Sequence, residues 1–296
     1  MKIKQKAAAD YDVVMPNNEK SNWSKWRRIR LGKIILGVFL TFWVLASLFP
    51  LYFVAATSFK LKKDVLNPLS WIFIPTLDNY TEVISARNIG HFLLNSVVIS
   101  VSSVVPALIL GLLAAYGLTR FGIARERTIA TTMLSFRMIP AIAIVIPYFL
   151  MGQFAGLIDT RLLVVVAYLT MNLPLAVWML RGFLRQIPLE IDEAGQLDGA
   201  SRMRILWQVH FPAIAPGIAS TGILLLIQSW NEFVFAQFLT STAARTIPTT
   251  AGFFLSITGT SFGEMAAVAV IGTIPPLVFA VFMRKRLVSG LAYGAV

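Results

Sequence analysis

Glu193-Ala-Gly-Gln-Leu-Asp-Gly199-Ala200 begins a polar stretch that ends at Val209-His-Phe-Pro212 and lies between two apolar segments. Each apolar segment has the roughly 20 residues that a helix needs to cross a bilayer. A connection of this kind carries more helix and turn signals than a simple link requires. The stretch therefore predicts a structured element between two membrane spans.

The local signals place two helices in the hairpin 185–212. Pro188 suits the first turn of a helix, and Asp198-Gly199 ends that helix because glycine tolerates a left-handed turn. Three acids favour the positive end of the first helix, namely Glu190, Asp192 and Glu193. Ser201 can cap a second helix that Pro212 stops, with an apolar face formed by Met203, Leu206, Trp207 and His210. We expect a docking element for a soluble partner; the alternative is an amphipathic helix at the membrane surface without a partner.

The composition identifies the class of protein. Of the 296 residues, 57% are hydrophobic and only 14% are charged, against about a quarter charged in soluble domains. The excess of twelve positive charges lies beside apolar segments, which disfavours nucleic acid as a partner. With no cysteine and two histidines, a metal site is not expected. The chain is predicted to be an all-α polytopic membrane protein.

Six segments are long and apolar enough to span: 34–59, 93–118, 128–150, 162–180, 213–239 and 265–283. If the N-terminus is inside, 19 lysines and arginines face the cytoplasm and six face outward. The positive-inside rule then places both termini in the cytoplasm. We divide the chain into a basic N-terminal segment (1–33), a six-span domain (34–283) and a C-terminal tail (284–296).

The hairpin residues resemble those of permease subunits of binding-protein-dependent ABC importers. That family's signature is Glu-Ala-Ala, three residues, Gly, nine residues, Ile-x-Leu-Pro. Here Glu193-Ala194-Gly195, Gly199 and Val209-His210-Phe211-Pro212 match its spacing, with departures at Gly195, Val209 and Phe211. Further similarity to the carbohydrate-uptake branch, and to the smaller permease of maltose-type transporters, comes from Asn79-Tyr80, Trp230-Asn231-Glu232-Phe233 and the tail from Leu287 to Val296.

The resemblance implies a type I ABC importer permease fold in a bacterial inner membrane, with the hairpin as its coupling helix. The implied coupling residues are Glu193, Ala194, Gly195, Asp198, Gly199, Ala200 and Pro212. The implied partners are a second permease, two ATP-binding cassette subunits and an extracytoplasmic sugar-binding protein. The chain has no P-loop of its own, since Gly32-Lys33 is followed by Ile34. ATP with magnesium would therefore bind to the partners, and the chain itself would be neither an enzyme nor a holder of a cofactor.

Polar residues within the predicted spans are candidates for the substrate path: Gln228, Asn231, Glu232 and Arg137. A charge at the bilayer centre costs about 3 kcal/mol, so Arg137 and Glu232 are expected to face a cavity, a partner or each other. Gln228, Asn231 and, less closely, Glu232 can share one helical face, near the aromatic rings of Trp230, Phe233 and Phe235. An interhelical ion pair with a purely scaffolding role is the alternative.

The predicted function is import of a sugar, oligosaccharide or polyol by alternating access. The resemblance to maltose-type permeases implies that the loop 240–261 reaches the binding protein; the alternative is an ordinary connector. Other cargoes (a peptide, polyamine or phosphonate), an ion-coupled secondary transporter and a structural scaffold are the alternatives. The hairpin has no evident role in a secondary transporter, and the charges in the spans argue against a scaffold.

Overall fold

The computed structural model describes the backbone of residues 19–67, 70–256 and 259–294. These residues are mostly α-helical. The helices are α1 (Glu19–Ser58), α2 (Lys62–Val65), α3 (Asp78–Ser85), α4 (Ile89–Arg120), α5 (Glu126–Ser135), α6 (Ala141–Phe154), α7 (Arg161–Leu184), α8 (Leu189–Leu197), α9 (Arg202–Ile205), α10 (Phe211–Ala213), α11 (Ala215–Trp230), α12 (Val234–Leu239) and α13 (Phe262–Gly294). Short 3-10 turns cover Phe136–Met138 and Ile247–Phe254, a π turn covers Leu206–His210, and β1 (Leu255–Ser256) pairs antiparallel with β2 (Gly259–Thr260).

Four helical segments are each long and apolar enough to cross a membrane: Lys33–Ser58, Ile89–Arg120, Arg161–Leu184 and Phe262–Val281. Two helix pairs with sharp bends also pass this test, Glu126–Met138 with Ala141–Phe154 and Arg202–Ala213 with Ala215–Trp230. The count reaches six if each bent pair is one span. The prediction of an all-α polytopic membrane protein is confirmed.

The chain divides into two compact units, residues 1–53 and 54–296. The first contains most of α1, whose apolar side chains from Lys33 onward are largely exposed. Phe39 and Trp43 stack one turn apart, with ring centroids 6.2 Å from each other. Such a surface suits contact with lipid or another apolar helix.

In the second unit, α4 and α7 pack along one another, and α11 packs against both and against α13. The first two helices approach closely at Gly111, where an added Cβ would lie 2.7 Å from Cβ of Ala176. Small residues allow this approach, which favours van der Waals packing between membrane helices. The α4–α7 pair therefore forms the centre of the unit.

The third predicted span, 128–150, is not one continuous helix. Proline has no N–H and disfavours helical geometry in the residue before it. Accordingly Ile139 has an extended backbone (ψ 125°) before Pro140, and α6 begins at Ala141. The two helical parts meet at 86°. The predicted span is therefore bent at Pro140.

The fifth predicted span, 213–239, is also interrupted. Its main helix, α11, ends at Trp230, and α12 begins only at Val234. The break follows from a competing cap, because the Glu232 carboxylate accepts hydrogen bonds from the N–H groups of Val234 and Phe235 (3.2 and 3.1 Å). The expectation that Glu232 shares a helical face with Gln228 and Asn231 was therefore wrong.

The predicted terminal segments are only partly covered. Of the N-terminal segment 1–33, the described backbone begins at Glu19. The backbone of α13 continues through the predicted tail 284–296 as far as Gly294. The residues 295–296 lie outside the described part of the chain.

Candidate functional site

The polar hairpin (residues 185–212) has the two helices that the sequence predicts. Pro188 precedes α8, and Gly199 adopts the left-handed conformation with φ of 79°. Ser201 caps the second helix, since its hydroxyl accepts a hydrogen bond from the Arg204 N–H at 3.3 Å. The turn chemistry of the sequence thus decides the local structure.

The helical run of the second helix ends at Ala213, one residue after Pro212 and close to the predicted end. After α9 the backbone passes through the π turn Leu206–His210 into α10, and Pro212 falls within the first turn of α10. Proline is tolerated at that position because its missing N–H has no partner to lose. The change of direction follows at Ile214, where the helical run Arg202–Ala213 meets α11 at 77°.

The buried face of the second helix differs from the predicted one. Leu206 and His210 are fully buried as expected, but Met203 and Trp207 are 52% and 42% exposed. Ile205 is buried instead, and a Cβ added to Gly195 would lie 3.1 Å from its side chain. Gly195, which departs from the signature, therefore leaves space for the Ile205 side chain. The second helix presents Ile205, and not Met203 or Trp207, to the interior.

Most of the predicted coupling residues are exposed. This holds for Glu193, Ala194, Asp198, Gly199 and Pro212, while Gly195 and Ala200 are half-buried. The neighbouring Leu197 is 89% exposed, which is unusual for so large an apolar side chain in a helix. Exposed apolar groups beside charges are typical of a protein interaction surface.

A buried polar network holds the hairpin to α4. Asp192 receives a hydrogen bond from His210 Nε2 at 2.8 Å through its Oδ1, and its Oδ2 lies 3.1 Å from Nε of Arg120. The second contact is an ion pair without hydrogen-bond alignment. Arg120 also donates to the carbonyl oxygens of Leu184 and Ile187 at the end of α7. One arginine thus joins α4, α7 and α8.

Two further bonds join the same elements. The Tyr116 hydroxyl donates to the Arg202 carbonyl at 3.1 Å, and Arg202 donates to the Arg120 carbonyl at 3.2 Å. The sequence reading missed this network, because it assigned Asp192 only to the helix dipole. A usable signal was the polar His210 on the same helical face as Leu206, which called for a buried partner.

The α5 helix is tied to α7 by another ion-pair cluster. Arg181 Nε donates to Oε1 of Glu126 at 2.6 Å, and Arg185 reaches Oε2 of the same carboxylate at 2.8 Å. Bidentate and shared contacts of this kind fix geometry as well as charge. The start of α5 is therefore attached to the helix that leads into the hairpin.

The four candidates for the substrate path form no hydrogen bond or ion pair with one another among the described residues. Both Glu232 oxygens are used by the start of α12, and Asn231 donates to the Ile227 carbonyl at 2.8 Å within its own helix. Arg137 lies in the 3-10 turn at the bend of the third span. Among the residues that the structure describes, it has no ion-pair or hydrogen-bond partner, and its Nε is buried. Gln228 is half-buried on α11.

The aromatic residues near this group also differ from expectation. Trp230 is 4% exposed and donates to the Gly272 carbonyl of α13 at 3.0 Å. Phe235 is completely buried in a core cluster, whereas Phe233 is 46% exposed. Of the three rings predicted beside the path, only Phe233 is accessible, because the other two fill the packing between helices.

A bundle of apolar helices with a polar hairpin fixed to their ends has the architecture of a transporter's membrane subunit. The chain belongs to the family of binding-protein-dependent transport system inner membrane components, whose model matches residues 107–293.

Relatives and solved structures agree with this assignment. The chain is 36% identical to the trehalose transport system permease protein SugB of Mycobacterium tuberculosis, over 75% of this chain and 82% of that protein. It is 32% identical to the trehalose/maltose transport system permease protein MalG of Thermococcus litoralis, over 90% and 97%. In fold it is similar to a chain of a bacterial ABC transporter that imports alginate, with a TM-score of 0.70, 23% identity and coverage of 88% and 97%.

Proposed function

We propose that this chain is the membrane-spanning permease subunit of an ATP-driven, binding-protein-dependent importer of a sugar, oligosaccharide or polyol. Membership of the inner membrane component family and the names of the sugar-transporting relatives support the cargo class. Transport proceeds by alternating access, and ATP hydrolysis is performed by a separate partner. The membrane-spanning helices of this chain line part of the pathway and change their arrangement during transport.

One observation carries this proposal. The signature residues of the polar hairpin are exposed, while the Arg120–Asp192–His210 network behind them is almost completely buried. A surface that must transmit force needs an accessible contact and a stiff attachment to the spans. The hairpin has both, which supports a role as the contact for an ATPase subunit.

The proposed assembly contains this chain, a second homologous permease, two ATP-binding cassette subunits that hold magnesium and ATP, and an extracytoplasmic sugar-binding protein. It is tested by affinity purification of the tagged chain from its native membrane in mild detergent, with mass spectrometry of the chains that accompany it. Recovery of a second permease and a Walker-type ATPase is expected. Purification alone, under conditions that preserve such complexes, would favour a secondary transporter.

The proposed orientation places both termini and the polar hairpin in the cytoplasm of an inner-membrane protein. It rests on the asymmetric distribution of lysine and arginine. Because the chain has no cysteine, the single variants Asp198→Cys and Thr242→Cys can each be labelled without background. An impermeant maleimide on intact cells is expected to label the second site only. Labelling of the first site alone would reverse the orientation.

For the substrate path we propose Arg137, Gln228 and Asn231 as groups that face it, and we assign Glu232 to the support of α12. An unpartnered guanidinium within a span calls for water, cargo or a companion subunit around it. Uptake measurements on Arg137→Gln and Asn231→Ala test this, with a rise in the apparent KM expected. An unchanged KM and maximal rate for both variants would reduce them to scaffolding.

A further inference from the structure

A single carboxylate between α6 and α7 binds four consecutive residues of the segment that follows α12. The Asp159 Oδ1 accepts hydrogen bonds from the N–H groups of Ser241 (2.9 Å), Thr242 (3.2 Å) and Ala244 (3.0 Å). Its Oδ2 accepts from the Ala243 N–H at 2.9 Å and from both the N–H and the hydroxyl of Thr242, at 3.1 and 3.2 Å. The sequence reading did not single out Asp159.

The N–H groups of residues 241–244 form an anion-binding site, and the anion that occupies it is the Asp159 carboxylate of the same chain. Successive N–H groups that point to one centre form a concavity that binds negative charge. Burial of the Asp159 side chain acts to raise its pKa, but the four backbone donors outweigh burial and hold the pKa at about 2. The residue also has a φ of 60°, a conformation that aspartate tolerates better than most residues. The carboxylate is therefore ionised and held in place for this contact.

The carbonyl groups of the same segment are held from α4. His91 Nε2 donates to the Ala243 carbonyl at 2.8 Å, and Asn95 donates to the carbonyls of Ala243 and Arg245 at 2.9 and 2.8 Å. The Asn95 side chain is itself oriented by Arg161, whose Nε donates to its oxygen at 2.7 Å. The segment is thus held through its donors from the α6–α7 connection and through its acceptors from α4.

The fixed segment is the start of the loop 240–261, and two later residues of the loop, Ile247 and Phe254, are buried in a hydrophobic cluster with residues of α3, α4 and α13. The chain continues from Ile247, whose N–H donates to the Ser96 hydroxyl at 2.9 Å, into the 3-10 turn and the β1–β2 pair. Ser241, Thr242 and Ala243 remain exposed although their backbone is bound. A short strand pair is marginal on its own, so its position depends on the anchored residues that precede it, from Ser241 to Phe254.

We propose that Asp159 is a positioning residue that holds the loop 240–261 in the arrangement in which it meets the extracytoplasmic binding protein. This inference rests on the proposed function, since it needs a binding protein as the partner. Loss of the carboxylate leaves the N–H groups of the segment without their common acceptor. The loop then samples other arrangements, and the partner must select the competent one at a cost in apparent affinity.

The test uses the whole transporter in proteoliposomes, with the binding protein recovered in the co-purification above. Asp159→Ala is expected to raise the concentration of binding protein for half-maximal ATPase stimulation about tenfold, which corresponds to the contribution of about one charge-assisted hydrogen bond. Asp159→Asn keeps one carbonyl acceptor and should rescue part of the shift. Thr242→Val removes only the hydroxyl contact with Asp159 and should change the half-maximal concentration of binding protein about twofold or less. Asp78→Ala, at an exposed carboxylate, is the matched control and should change nothing.

A second readout follows the loop directly. Trypsin cleavage after Arg245 is expected to be slow in the wild type and several-fold faster in Asp159→Ala, because the adjoining segment is bound to Asp159. Unchanged cleavage and unchanged half-saturation in both Asp159 variants would overturn the positioning role while leaving the proposed function intact. A wild-type transporter that no binding protein stimulates would overturn the proposed function and the positioning role with it.

Discussion

His210 donates a hydrogen bond from Nε2 to Oδ1 of Asp192 at 2.8 Å, which joins the second helix of the polar hairpin to the first. The imidazole is completely buried, and the opposite carboxylate oxygen lies 3.1 Å from Nε of Arg120. Because Arg120 is the last residue of α4, the hairpin and this span share one buried network. The hairpin is therefore fixed to the end of α4 by buried polar contacts.

Asp192→Ala is expected to destabilise the protein strongly. It removes the one carboxylate that His210 and Arg120 share and leaves a buried guanidinium without its counter-charge, which costs about 3–5 kcal/mol. Thermal unfolding of the purified complex measures this. Asp198→Ala, an exposed acid on the same hairpin, should stay within about 0.5 kcal/mol of the wild type. Equal stability of the two variants would contradict a stabilising network.

Gly199→Asp is expected to disturb coupling. The left-handed backbone at φ 79° suits glycine best, and aspartate adopts it at a smaller cost than most residues. A Cβ there meets no atom within 4 Å, so the main change is a charged side chain on the exposed turn. Substrate-stimulated ATP hydrolysis should fall while the subunits still assemble. Gly182→Ala in α7 is the matched control, since its Cβ also meets open space and its φ is helical. Intact assembly with intact stimulation in Gly199→Asp would remove this residue from the coupling surface.

Gly111→Val is expected to separate α4 from α7. Even a Cβ at this position lies 2.7 Å from Cβ of Ala176, and overpacking of this kind costs about 1–3 kcal/mol. The yield of folded protein in detergent, measured by size exclusion with fluorescence, should drop. Gly90→Val on the same helix meets no atom within 4 Å and should behave like the wild type.

Glu232→Ala is expected to lower stability without changing substrate affinity. The carboxylate caps α12 through the N–H groups of Val234 and Phe235, and the loss of such a cap costs about 1 kcal/mol. Thermal unfolding and the concentration dependence of uptake measure the two effects separately. A large rise in the apparent KM with normal stability would return Glu232 to the substrate path.

The contribution of Asp159 to stability should depend on pH in a defined direction. Its pKa is lowered to about 2 in the folded protein, against about 3.9 for an ordinary aspartate. The stabilisation is therefore complete above pH ~4 and is lost as the pH falls through about 2. The difference in unfolding temperature between wild type and Asp159→Ala should be constant from pH 7 to 5 and shrink below pH ~4. A difference that disappears between pH 7 and 6 would assign the effect to another group.

Turn and capping chemistry is local, and for that reason the sequence predicted it well. Pro188, Gly199 and Ser201 determine the start, the turn and the second cap of the hairpin through their own backbone preferences. The spacing of the signature, from Glu193 to Pro212, was sufficient to indicate the family. The apolar segments likewise predicted an all-α membrane protein from length and composition alone.

Only the tertiary structure decided how residues distant in the sequence are combined. Asp192 with Arg120 and Asp159 with the segment 241–244 meet through packing that no local pattern encodes. The same holds for Glu232, which pattern placed on a helical face and which the fold uses to start a new helix. Residue preferences act over a few positions, whereas a buried polar group takes whichever partner the packed helices bring within reach.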